Sequence, residues 1–344
     1  MSAQSASLIP TTVVGAGSWG TALAIAIARN GHPVFLWGRD ADHLAAMQQS
    51  RSNERYLPGL PFPDSLQLEP NFEKAVSQAK HVLVSVPSVA FSDMLLKMKP
   101  FLKPDTPVSW ATKGLTPETG RFLNDTASDI LGESHPLAVI SGPSFAAEVA
   151  KDLPTAVTVA SKDEVFCQAL AKAMHRPTLR VYTTDDVLGV QIGGTVKNVL
   201  AISAGISDGL GFGANARAAL ITRGMAEILR LASSLGAQTE TMIGLSGIGD
   251  LILTCTDDQS RNRQLGLAIG RGLSIQDAVT EVGKTVEGMH AAREVLTRAK
   301  QVDIEMPIVE QVCKILFEGY EPRQAVQALL CREQKAETLV SFKK

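Results

Sequence analysis

Cysteine is scarce in this 344-residue chain. There are four, Cys167, Cys255, Cys313 and Cys331, widely spread and with no CxxC pair. That excludes a zinc ribbon and a disulfide framework, fits a reducing cytoplasm, and leaves no metal site to expect. Neither sign of charge dominates: 33 Lys and Arg stand against 35 Asp and Glu, a net charge of -2. The electrostatic footprint of a nucleic-acid or acidic-membrane binder is therefore missing. No uncharged apolar stretch is long enough to span a bilayer, so stable membrane insertion is not expected. The opening "MSAQSASLIP" has neither the basic segment nor the apolar core of a secretion signal. No internal repeat and no low-complexity linker break up the chain.

What is present is an ordinary globular composition, 45% hydrophobic, in a chain long enough to predict two domains. The first half alternates short β-branched runs ("TTVVG", "PVFLWG", "HVLVSVP", "PVSWAT", "LAVISG", "TAVTVA", "LRVYTT") with helical patterns such as "GTALAIAIARNG" and "NFEKAVSQA". Repeated strand–helix–strand predicts a parallel sheet with right-handed crossovers. From about Leu188 the β-runs stop, and segments such as "ARAALITRGMAEILRLASSLGA" and "TVEGMHAAREVLTRAKQ" read as helices. The boundary is placed between domains 1–188 and 189–344, with a helix beginning near Gly189 joining them. The polar tail "CREQKAETLVSFKK" is expected to fray.

"VVGAGSWGTALA" follows the first strand and opens the first helix. Gly15, Gly17 and Gly20 match G-x-G-x-x-G in the strand–loop–helix setting where it binds a dinucleotide. The glycines permit a tight turn, approach of a pyrophosphate to the backbone, and helix–strand contact; N–H groups of the helix N-terminus face the anion. The fold class expected is thus an α/β N-terminal domain of Rossmann type with a mostly parallel sheet, then an all-α domain. In "FLWGRD" Arg39 stands where the second strand ends, and a guanidinium suits the 2′-phosphate of NADP(H). Asp40 comes one or two places late for the ribose 2′-hydroxyl of NAD(H), and could serve after a small shift. NADPH is the favoured cofactor, with NADH the alternative.

A second group of residues carries chemistry. "SWATKGL" and "VISGPSFAAEV" end predicted strands with Thr112, Lys113, Gly142 and Ser144. Lys113 either points into the cofactor crevice or is an exposed loop lysine; Ser144 can N-cap the helix that follows. "VQIGGTVKNVLAISAGISDGLG" is a mostly apolar helix with Lys197 at its centre and no counter-charge three or four residues away. Side chains lean toward the helix N-terminus, which lays Lys197 over the space left by Gly193 and Gly194. Either that space receives a ligand or the glycines admit another backbone. "GLSGIGDLILTCTDDQSRNRQLG" offers Asp250 and Thr254 on one helical face, with Asp250 alternatively an N-cap. It also offers a phosphate clamp at Ser260, Arg261 and Asn262, and Arg263 is taken as the solvated arginine of the two.

Taken together, "GAGSWGTALA", "NERYLPG", "TKGL", "GPSFAAEV", "GGTVKNVLAI", "GLSGIGDLILTCT", "SRNRQLG" and "TVEG", in that order, resemble bacterial NAD(P)-dependent sn-glycerol-3-phosphate dehydrogenase. The resemblance runs from Val13 to about Gly319, and no departure falls within the catalytic motifs. It implies that Lys113, Lys197 and Asp250 line the reaction centre, with Gly193 and Gly194 making room for substrate. Gly142, Ser144, Ser260, Arg261 and Asn262 would contact the substrate, largely at its phosphate, with Asn198 and Thr254 counted among the binding residues. Ser18, Trp19, Lys113, Ala146, Arg261 and Glu287 would touch the cofactor, beside Gly15, Gly17, Gly20 and Arg39. The reaction implied is interconversion of dihydroxyacetone phosphate and sn-glycerol 3-phosphate, supplying phospholipid synthesis; the composition is that expected of a cytoplasmic protein, and the apolar helical half offers an interface for a homodimer. Rival readings are a two-domain hydroxyacid dehydrogenase of the phosphogluconate or 3-hydroxyisobutyrate kind, whose substrate loops are missing here, and a non-catalytic NADP(H) sensor, which would have no use for Lys113, Lys197 and Asp250 together.

Overall fold

The β-branched runs become strands because such side chains pack well on a pleated surface covered on both faces. The computed structural model of the protein describes residues 8–117, 119–283 and 285–333. Its main sheet has eight strands: β1 (Thr11–Val14), β2 (Val34–Trp37), β3 (Leu66–Leu68), β4 (His81–Val84), β5 (Val108–Trp110), β6 (Leu137–Ser141), β7 (Thr155–Ser161) and β8 (Leu179–Thr184). Their order across the sheet is β8-β7-β6-β5-β4-β1-β2-β3. The direction of winding switches beside β1, which is where doubly wound sheets bind ligands.

Strands β1 to β6 are parallel to one another. The mostly parallel sheet expected from the sequence has its reversal at β7, which pairs antiparallel with β6, while β8 follows parallel to β7. The connection explains the reversal. Residues 142–154 hold one helix of five residues, Ala146–Ala150, about 7.5 Å long. That is too short to return the chain along a strand of about 17 Å. Strand β3 and a small ribbon, Ser52–Asn53 against Leu57–Pro61, were not predicted; each is too brief to display a period.

The chain divides into two units. The sheet unit comprises residues up to Thr112 and Asn124–Val187; the helical unit comprises Lys113–Leu123 and everything from Leu188. Helix α1 (Ser18–Arg29) belongs to the sheet unit and is buried from Gly20 to Ala28, which explains its run of small and aliphatic residues. The core around it includes Val13, Leu23, Ile25, Leu36 and Leu83.

A second core belongs to the helical unit and is threaded by α2 (Val187–Gly209). By length and composition this helix could cross a membrane, yet 94% of its most apolar window is buried inside the protein. Packing against other helices, rather than lipid, accounts for its apolar surface. The other helices used below are α3 (Gly213–Ser234), α4 (Asp250–Thr256), α5 (Arg261–Gly270), α6 (Glu287–Gln301) and α7 (Pro307–Glu318). Helices α2 and α5 meet backbone to backbone. A Cβ on Gly205 would lie 2.2 Å from the Arg263 carbonyl oxygen, and one on Gly266 would lie 2.1 Å from that of Ile202. Gly209 and Gly270 repeat the contact one turn on.

Helix α7 begins with a proline, and its orphan N–H groups are satisfied from a distance. Glu227 on α3 accepts hydrogen bonds from Ile308 N (2.8 Å) and Val309 N (3.4 Å). Burial pushes the Glu227 carboxyl up to about 7, against the lowering effect of those two N–H groups. From residue 334 onward the polar tail predicted to fray lies outside the described residues, as do residues 1–7.

Candidate active site

The glycine loop lies between β1 and α1. Gly15 has φ +123°, open to glycine alone, and a Cβ there would meet the Ser85 carbonyl oxygen at 2.2 Å. Its N–H donates to Trp37 O (2.8 Å), while Ser85 N donates to Val14 O (2.8 Å). A Cβ on Gly20 would fall 1.9 Å from Gly15 O, so the third glycine of the motif lets the helix close onto the turn. Gly17 precedes α1 with open space where its Cβ would be. Ser18 and Trp19 are half-buried at the start of the helix, and the Trp19 indole Nε1 has no hydrogen-bond partner among the described residues.

Beneath this loop lies Asn53, fully buried on the small ribbon. Its Nδ2 donates to Ala16 O (3.1 Å) and to the Thr21 hydroxyl (2.8 Å). In "NERYLPG" the asparagine has no role that sequence alone assigns. The one available signal was an amide side chain in a segment otherwise fit for solvent.

At the end of β2, Arg39 is exposed. Asp40 is engaged elsewhere: it caps the helix Ala41–Ser50 by accepting from His43 N (3.0 Å), and it pairs with Arg55 at 3.3 Å. The His43 N–H, aided by Arg55, holds its carboxyl below the usual range. After β6, Gly142 has φ +138°, with its Cβ position 3.0 Å from Val157 Cα. The Ser144 hydroxyl donates to Gly142 O (3.0 Å) and caps no helix; Phe145 occupies the N-cap before Ala146. The capping reading of Ser144 is corrected accordingly. The serine closes its own turn instead.

Lys113 belongs to the helical unit and not to the sheet unit with the loop residues before it. It leads into a hairpin in which Leu115 bridges Phe122 and Thr116 N donates to Arg121 O (2.8 Å). The Glu294 carboxyl on α6 accepts from the Leu115 backbone N–H.

Lys113 and Lys197 converge on one carboxylate. Lys113 Nζ donates to Asp250 Oδ2 (2.8 Å), Lys197 Nζ donates to Asp250 Oδ1, and Lys197 also donates to the Thr254 hydroxyl at 3.0 Å. The Thr254 hydroxyl in turn donates to the Asp250 carbonyl (2.6 Å). Asp250 is therefore the first residue of α4 and not its N-cap; Gly249 holds that place with no side-chain cap. Lys197 and Asp250 are both buried, and buried charges persist only when paired.

Two cations share one anion, which divides their proton affinities. Burial lowers Lys197 to about 7, with Asp250 opposing and the Lys113 charge assisting. Burial also disfavours the Lys113 ammonium, but Asp250 outweighs it and the group is raised. For Asp250, burial raises the pKa, yet the two ammonium groups win and hold it lowered.

The approach of Asp250 to Lys197 depends on a π-helical turn, Leu245–Gly249, where Gly249 N donates to Gly244 O (3.1 Å). This turn presses against α2 at Gly193, whose Cβ would lie 2.1 Å from the Ser246 carbonyl oxygen. Space at Gly193 is thus filled by backbone, which corrects the reading that it receives a ligand. The glycine sets the distance between helices one turn before Lys197.

A second cluster adjoins the next residue of α2. Asn262 Nδ2 donates to Asn198 Oδ1 (3.0 Å), and Gly288 N donates to Asn262 Oδ1 (2.9 Å). Ser260 caps α5 by accepting from Arg263 N (3.3 Å). Of the two arginines Arg261 is the exposed one. Arg263 is buried, and its guanidinium pairs with Asp208 and Asp258, which reverses the assignment made from spacing. Glu287, at the start of α6, is raised by burial, with Arg261 foremost among the charges that oppose the shift.

The arrangement supplies a buried ammonium near neutrality, a fixed counter-ion, and an exposed guanidinium at a helix N-terminus. Comparison with known proteins accords with it. The profile described as NAD-dependent glycerol-3-phosphate dehydrogenase N-terminus matches residues 10–167, and that of the corresponding C-terminus matches residues 186–327. A protein from Tolumonas auensis named glycerol-3-phosphate dehydrogenase (NAD(P)+) is 54% identical over 96% of this chain and 99% of its own length. One of the same name from Nitrosococcus oceani is 56% identical over 95% of each. The crystal structure of glycerol-3-phosphate dehydrogenase from Coxiella burnetii superposes with a TM-score of 0.91, at 47% identity, over 94% of this chain and 99% of that one. The chain belongs to the NAD-dependent glycerol-3-phosphate dehydrogenase family.

Proposed function

We propose that this protein interconverts dihydroxyacetone phosphate and sn-glycerol 3-phosphate, using NADPH in preference to NADH. The observation that carries the proposal is the Lys113–Asp250–Lys197 group with Thr254, in which Asp250, Lys197 and Thr254 are buried. Bound dinucleotide supplies the hydride for the C2 carbonyl carbon. Lys197 donates a proton from Nζ to the carbonyl oxygen as the alcohol forms, a role suited to a group poised near 7. Asp250 and Thr254 aim that ammonium, and Lys113 adds positive charge toward the developing alkoxide. Arg261, with Asn262, Asn198, Ser260, Gly142 and Ser144, holds the substrate, the guanidinium gripping the phosphate. Phosphate binding is remote from the reacting carbon and helps to position it.

The chain's own residues fit a dinucleotide. Gly15 and Gly20 fold the loop tightly, Gly17 leaves its Cβ space open, and Trp19 has an unmatched indole N–H. Ser18, Ala146, Lys113, Arg261 and Glu287 complete the cofactor contacts in this reading. Preference for NADPH follows from Asp40, whose carboxylate is committed to His43 and Arg55, while Arg39 is exposed. We place the enzyme in the cytoplasm as a homodimer that feeds glycerophospholipid synthesis. The test is nicotinamide oxidation by purified protein with dihydroxyacetone phosphate, run in parallel with NADPH and NADH. Substrate-dependent oxidation, faster with NADPH, is expected. Protein that binds NADPH yet oxidises neither would overturn the substrate assignment.

A further inference from the structure

The glycine motif accounts for where the loop can bend, but not for which way its peptide units face. Gly15 fixes the first residue against Ser85 and Trp37, and Gly20 fixes the last against Gly15. Among the described residues, the peptide between Ala16 and Gly17 has no such backbone neighbour. Its carbonyl is held by a side chain, Asn53 Nδ2, at 3.1 Å. In a trans peptide the C=O and the N–H of the same unit point in opposite directions. Drawing the Ala16 carbonyl inward therefore turns the Gly17 N–H outward, toward the start of α1, where an anion binds.

We propose that Asn53 is a positioning residue for cofactor pyrophosphate: it orients the Ala16–Gly17 peptide so that the Gly17 N–H faces the phosphate. The inference rests on the reading of the loop as the dinucleotide site. The second donor bond, to the Thr21 hydroxyl at 2.8 Å, fixes the amide's rotation, so that Nδ2 and not Oδ1 meets the carbonyl. The ribbon that carries Asn53 has a support of its own. Tyr56 N donates to Asn53 O (3.1 Å), and the Glu54 carboxylate accepts from Gly59 N at 3.2 Å. No charged group is needed in this arrangement. An aspartate of the same shape would set oxygen against oxygen and lose both donors.

The experiment compares two ligands on Asn53→Asp and Asn53→Ala. NADPH contains the pyrophosphate; adenosine 2′-phosphate does not. Titration calorimetry should show NADPH weakened about tenfold in both variants, with adenosine 2′-phosphate within about twofold of wild type and kcat at saturating NADPH little changed. Unchanged NADPH affinity would overturn the proposal. So would a parallel loss of both ligands, which is what general loosening of the unit produces. Thr21→Val covers the case in which neither Asn53 variant folds: it removes the hydroxyl that fixes the amide's rotation and leaves the Asn53 side chain in place. Weakened NADPH with adenosine 2′-phosphate within about twofold of wild type supports the proposal there, and unchanged NADPH affinity or a parallel loss of both ligands sinks it. Wild-type protein that fails to bind NADPH or NADH would instead overturn the cofactor reading itself.

Discussion

In the sheet unit the loop offered to the cofactor is one continuous stretch, Gly15 to Gly20, shaped by what its glycines leave out. In the helical unit the Lys113–Asp250–Lys197 cluster is assembled from distant segments: Asp250 meets Lys197 across 53 residues and Lys113 across 137. The first arrangement uses backbone N–H groups, which any sequence supplies once the turn is right. The second uses side-chain charges, each of which is unstable when buried alone. Damage should therefore differ in kind. Changes in the loop should act on cofactor affinity, whereas changes in the cluster should act on turnover.

The sharpest test is Lys197→Ala. Loss of the proposed general acid should lower kcat by about 10³-fold, within the range for such groups, while NADPH affinity measured by fluorescence titration stays within about twofold. A variant that loses both together would erase the distinction between the units. Next comes Gly15→Ala, which forces a Cβ to 2.2 Å from Ser85 O at positive φ. It should weaken NADPH more than tenfold and destabilise the protein by roughly 3 kcal/mol, as strained backbone does. Hydrogen exchange should locate that loss in the sheet unit.

Arg261→Ala should raise the KM for dihydroxyacetone phosphate about 10- to 100-fold, as expected for losing a charge-assisted phosphate contact. Steady-state kinetics at saturating NADPH would check this, and an unchanged KM would remove Arg261 from the phosphate.

The smallest effect concerns Glu227, whose carboxyl is raised to about 7. A raised acid contributes stability in full below its unfolded pKa, near 4.5, and loses it as pH climbs through 7. Linkage sets the upper bound on the order of 3 kcal/mol. Glu227→Gln keeps an acceptor for α7 without titrating, so its melting temperature should gain on wild type between pH 5 and pH 8. Parallel pH curves would show that Glu227 is not the titrating group.

Much of the sheet unit was legible because its signals are local. Seven β-branched runs became strands, and the glycine motif sits where strand meets helix. β3 was missed because three residues show no period, and the reversal at β7 because strand runs carry no direction. The helical unit was harder to read. Nothing around Lys197 in sequence announces Asp250, since the partner lies on another helix. Arg261 and Arg263 are two places apart, and it is Arg263 that meets Asp208 and Asp258 and is buried. Gly193 was misread for a related reason. Open space and space filled by a neighbouring backbone look alike in a sequence. The resemblance to the dehydrogenases named these residues, but not the contacts that set their geometry.

Helix α2 behaves as a ruler whose marks are contacts. Gly193 meets Ser246, Lys197 meets Asp250, Asn198 meets Asn262, and Gly205 and Gly209 meet α5. These marks stay on the right faces only while each keeps its angular phase, about 100° per residue. A substitution at an unmarked position leaves the phase alone. Insertion or deletion of one residue between Gly193 and Gly209 would turn every later mark away from its partner at once. This stretch should therefore tolerate changes of side chain far better than changes of length, and the meeting of Lys197 with Asp250 is set by the count of residues around it.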